Sequence, residues 1–116
     1  MENNTQQKTY AFEISWQNPI KNKTLEEIKN KFTSIDYKKF NFLNIKITGS
    51  EDMNIGEVTT IIKQCTNEDV HCQILIVVDE NFEKGKRQLS VSASFSKTSS
   101  QKTSIKLVKQ DNIIEL

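Results

Sequence analysis

The chain has little of what most chemistries need: one histidine, two cysteines and three glycines in 116 residues. A metal centre requires three or four converging ligands, and Cys65, His71 and Cys72 are the only Cys or His residues present. On a strand, His71 and Cys72 point to opposite faces, so the metal alternative fails on geometry as well as on number. A lone histidine with no partner pattern supplies no Ser/His/Asp or Cys/His nucleophile. Gly49, Gly56 and Gly85 each stand alone, which argues against a glycine-rich phosphate loop. No catalytic residue, cofactor or metal is therefore expected.

Long apolar runs are also missing. The longest, Ile74 to Val78, is far too short to span a bilayer, and no basic segment followed by an apolar stretch marks a leader. A cytoplasmic protein with reduced, buried thiols and no membrane contact is the expectation. The net charge of +1 gives no global field for nucleic acid. Tyr10, Phe12 and Trp16 fall on one strand face with Ile14, which reads as core and not as a base-stacking platform. The carboxylate pairs Glu51-Asp52, Glu68-Asp69 and Asp79-Glu80 each flank an expected turn, where acids serve caps and solubility.

Charge is instead laid down in blocks. Residues 21–46 carry +4, residues 51–83 carry −7 and residues 84–116 carry +5. Such blocks either form opposite poles suited to a charged partner or intermix once folded.

Periodicity gives the elements. Tyr10, Phe12, Ile14 and Trp16 alternate with smaller or polar residues, as in a half-buried strand. Thr24 and Glu27 have capping-box spacing, and Leu25, Ile28, Phe32 and Ile35 predict a helix over about 25–35. Leu43, Ile45 and Ile47 predict a second strand. Asn54 as N-cap, Glu57 three residues on, and Met53 with Val58 as a hydrophobic staple predict a second helix, buried through Val58, Ile61, Ile62 and Cys65. Gly56, Thr60, Lys63 and Asn67 then face outward. Cys72–Val78 predicts a strand covered on both faces at mid-sheet. Leu89, Val91, Ala93 and Phe95 predict one with a wet face, and Ile105–Val108 and Ile113–Leu116 suggest edge strands. The expected core includes Leu25, Phe32, Val58, Ile61, Ile62, Ile74, Ile76, Val91 and Phe95. With residues 1–8 as a disordered polar tail, residues 9–116 form one α+β domain, a two-layer sandwich with two helices on one face of a mixed sheet.

The stretch Lys46-Ile47-Thr48-Gly49-Ser50-Glu51-Asp52-Met53-Asn54-Ile55-Gly56-Glu57-Val58 resembles NITGGxDLTLxEV, a strand, turn and helix entry of the FtsZ C-terminal domain. The likeness continues at Val77-Val78-Asp79-Glu80 and covers roughly residues 42–95, with a further strand after Arg87. The resemblance implies the family's strand, helix, strand, helix, strand, strand order. It implies no catalysis, since the nucleotide-binding domain, the connecting helix and the acidic loop have no counterpart.

Two functions follow as expectations. The first is a non-catalytic interaction module that binds or caps FtsZ-like filaments in cell division. Its contacts would come from Thr60, Lys63 and Asn67 on the second helix, with Glu57 and Glu68 tuning association. The second is a small-molecule-binding homo-oligomer or minor enzyme of chorismate-mutase-like trimeric architecture, which needs cationic anchors from a chain with one arginine.

Overall fold

A computed structural model describes residues 10–65, 70–95 and 104–109. The chain runs β1 (Tyr10–Gln17), α1 (Asn22–Thr33), β2 (Phe42–Gly49), α2 (Ile55–Cys65), β3 (His71–Val78), β4 (Lys86–Ser94) and β5 (Ser104–Lys109). In space the strands lie in the order β1-β4-β2-β3-β5. β4 is antiparallel to both of its neighbours, while β2 with β3 and β3 with β5 are parallel. The fold is thus an α+β sandwich with a mixed five-stranded sheet.

This topology explains the layering. β1 and β2 point the same way, so α1 carries the chain from one to the other across β4. α2 makes the next step, from β2 to the adjacent β3. Both crossovers move in one direction along the sheet, and crossovers of the same hand then lie on the same face. There α1 and α2 touch each other. Their buried residues Ile28, Phe32, Val58, Ile61 and Cys65 form one core with Leu43, Ile45, Ile47, Cys72, Ile74, Leu89 and Val91 of the strands. Phe12 meets Phe32 edge-on, with ring centres 5.5 Å apart, the arrangement that aromatic quadrupoles favour.

Several expectations need correction. α1 begins at Asn22 behind Lys21, which makes no side-chain cap, so Thr24 lies inside the first turn and no Thr24–Glu27 box forms. Half-buried Ile20 and Leu25 occupy the two positions of a hydrophobic staple for this earlier start. Phe95 follows the last residue of β4 and is 60% exposed. Leu25 and Ile62 are half-buried. The middle strand is β2, with β3 one place toward the edge and its Gln73 and Leu75 only half-covered. β5 is the expected edge strand over Ile105–Val108. Residues 1–8 and Ile113–Leu116 lie outside the described residues.

Among the described residues, no helix lies on the opposite face of the sheet. Exposed Ala11, Glu13, Asn44 and Lys46 and half-buried Ser90 and Ser92 point to it, and at its centre is a shallow groove of about 640 Å³.

Ile61 is fully buried at the middle of the helical layer, so Ile61→Ala should cost about 2–5 kcal/mol in urea unfolding. Phe95→Ala should stay within about 0.5 kcal/mol in the same assay, as an exposed site does.

Candidate functional site

The stretch Lys46–Val58 folds around Arg87. Arg87 is the only arginine of the chain and is 1% exposed on β4, on the helix side of the sheet. It pairs across the ladder with Gly49, the last residue of β2. A Cβ on Gly49 would stand 2.8 Å from Arg87 Cδ and 2.5 Å from Met53 Sδ. Glycine is needed there to let both side chains pass over the strand end.

The guanidinium reaches the start of α2. Its Nε and Nη2 donate to the two carboxylate oxygens of Glu57, the Nη2 bond at 3.1 Å, a bidentate fork that a lysine could not make. Nη1 donates to Ser50 Oγ at 3.0 Å, to Asp52 Oδ1 at 3.2 Å and to the Lys86 carbonyl at 2.9 Å. Glu57 also closes the capping box on α2. The Asn54 N–H donates to its carboxylate at 3.1 Å, and the Glu57 N–H donates to Asn54 Oδ1 at 2.9 Å. One carboxylate therefore neutralises the buried cation and caps the helix that bears it.

Ser50 completes the cluster from a buried position. Its hydroxyl donates to Asp52 and accepts from Arg87 Nη1 and from the Gly85 N–H at 3.0 Å. One donor and two lone pairs are all that a serine hydroxyl has, so its capacity is filled. Gly85 has φ +83°, a left-handed conformation that glycine adopts without strain. Its carbonyl accepts from the Asn18 N–H at 2.7 Å. The turns after β1, after β2 and before β4 are thereby tied together.

Electrostatics follow from these contacts. The Ser50 hydroxyl is the largest influence on the Asp52 carboxyl and, joined by the Arg87 guanidinium and the Gly85 N–H, holds it below its ordinary value against the opposing effect of burial. Glu57 and Asp52 in turn raise the Arg87 pKa. The cation is fully compensated and presents no anchor to a ligand.

The residues expected to meet a partner divide. Thr60 and Lys63 are exposed on the outer side of α2, next to exposed Gly56. Thr60 returns its hydroxyl to the Gly56 carbonyl at 3.0 Å. Glu57 is not on that outward face, because Arg87 draws its side chain inward to 9% exposure. Asn67 and Glu68 lie outside the described residues. Cys65 and Cys72 are buried thiols not joined in a disulfide, and His71 is exposed on the other face of β3. Burial, reinforced by Cys72, pushes the Cys65 thiol up to about 12, and burial also raises Cys72. Among the described residues, no three His, Cys, Asp or Glu side chains gather where a metal could bind. No helix among them is long and apolar enough to cross a membrane.

Sequence reasoning did not single out Arg87, Ser50 or Asp52 as a unit. The available signal was the lone arginine in a chain rich in lysine, placed at an inward position of a strand. No protein-family model matches the chain, and no curated protein matches it.

Arg87→Leu leaves two carboxylates around an apolar side chain and should cost about 3–5 kcal/mol in urea unfolding. Because the folded Asp52 pKa is depressed, its contribution is present above the ordinary carboxyl value of 3.8 and is lost as pH falls below it. Asp52→Asn should therefore flatten the fall in urea midpoint measured on acidification through that range. Alkylation followed by mass spectrometry should leave Cys65 and Cys72 unmodified at pH 8 in the native protein and label both in urea, since burial keeps the thiolate scarce.

Proposed function

We propose that this chain is a non-catalytic protein-interaction module related to the C-terminal domain of FtsZ, and that it binds or caps FtsZ-like filaments in cell division. The supporting observation is that Lys46–Val58, the stretch that carries the resemblance, forms a complete structural unit. It runs from strand end through turn to capped helix entry, closed by Arg87 from β4. The strand and helix order of the chain also agrees with the family's order.

In this proposal the outward side of α2 makes the contact through Thr60 and Lys63, joined by Asn67, with Glu57 and Glu68 tuning association. In this reading the domain sits at a filament end through that contact. A rim contact of this kind weakens with salt. The small-molecule alternative loses support because the sole arginine is consumed inside the fold by Glu57 and Asp52.

Co-sedimentation of the purified protein with FtsZ from the same host, with GTP at low salt, tests the proposal. Bound protein, reduced filament mass and weaker binding by Lys63→Glu are expected. Unchanged filament mass and GTP turnover at several-fold excess, with no co-sedimentation, would overturn it.

A further inference from the structure

We propose that the helix-free face of the sheet joins two copies of this chain, about a twofold axis parallel to the strands and lying between β4 and β2. The inference goes beyond the filament-binding proposal and does not depend on it.

The cross-strand registers place Glu13, Ser90, Lys46, Leu75 and Lys106 side by side in one row across the five strands. All five alternate away from the helices. The row is negative at its β1 end and positive from β2 to β5. Among the described residues the Glu13 carboxylate has two long contacts, from Gln88 Nε2 and Ser90 Oγ at 3.5 Å each, which leave it acceptor capacity. Lys46 and Lys106 are exposed, and neither is ion-paired to a described residue.

Charge order selects the axis. A twofold axis along the row would set Glu13 over Glu13 and Lys46 over Lys46, which is repulsive. A twofold axis parallel to the strands reverses the row in the second copy. Placed between β4 and β2, it sets Glu13 of each copy over Leu75 of the other, between that copy's Lys46 and Lys106. Ser90 then faces the second copy's Lys46, and Ser92 faces its Asn44. The short serines near the axis leave the room that stacked sheets need at about 10 Å separation.

Area supports a specific but weak pair. Four overlapping strands of about eight residues, at about 4.8 Å by 3.3 Å each, give about 500 Å² per copy. The total of about 1,000 Å² stands at the lower bound for a specific interface. The shallow groove on this face would be filled by the second copy's side chains.

Sedimentation velocity of the full chain over a concentration series tests this, with Lys46→Glu, Glu13→Lys and the combined charge swap as variants. Reversible dimerisation is expected at micromolar concentrations. Each single reversal should raise the dissociation constant about tenfold or more, and the double swap should restore it to within about threefold of the parent. All substitutions are at exposed positions, and circular dichroism verifies that each variant is folded. A chain that stays monomeric at several hundred micromolar would overturn the proposal. So would a dimer that the single reversals leave intact or that the double swap does not recover, and in those two cases the copies meet elsewhere.

Discussion

The ion pair between Arg87 and Glu57 is the constraint on which the rest of this small domain depends. A guanidinium taken out of water costs several kcal/mol unless its donors are met. Here they meet two carboxylates, a hydroxyl and a carbonyl. Satisfying it requires the end of β2, the turn over Ser50–Met53, the first turn of α2 and the start of β4 to hold fixed relative positions. Gly49 must be bare, Ser50 must face inward and Asn54 must release its carboxyamide to the Glu57 N–H. A set of loops that would otherwise be independent becomes one rigid corner.

The same interaction specifies register. β4 alternates apolar and small polar residues from Leu89 to Ser94, and a slip by one residue would exchange its faces. It would also carry Arg87 to the helix-free side, away from both carboxylates. Apolar packing of Leu89, Val91 and Ala93 and polar satisfaction of Arg87 therefore demand one alignment. Agreement between independent demands of this kind separates a unique fold from an approximate one.

Much of the architecture was legible because it rests on local periodicity. Ile14, Leu43, Ile45, Ile47, Val58 and Ile61 are buried where their spacing put them, and the Asn54–Glu57 box is reciprocal as its spacing demands. Misses arose where a nonlocal choice prevailed. The Thr24–Glu27 spacing satisfies the same local rule as the second box, yet the chain enters α1 earlier, behind Ile20. Phe95 continues the alternation of β4 but falls past its last ladder partner. Glu57 was legible as a cap but not as the partner of Arg87, since only the pairing of β2 with β4 brings Arg87 to it. Asp52 looked like one of three acidic turn pairs, and nothing in its neighbourhood distinguishes it from Asp79.

The position of β4 also sets the order in which a nascent chain can assemble. The unit β2-α2-β3 closes over short sequence distances, whereas β1 and β2 have no partner between them until residues 86–94 emerge. Until then the core-facing side of β1, with Phe12, Ile14 and Trp16, has no ladder to join, and β2 keeps one edge unpaired. Synthesis at about 5–20 residues per second delays closure for several seconds. In that interval the exposed edges are what a chaperone, or a neighbouring nascent chain, would encounter first.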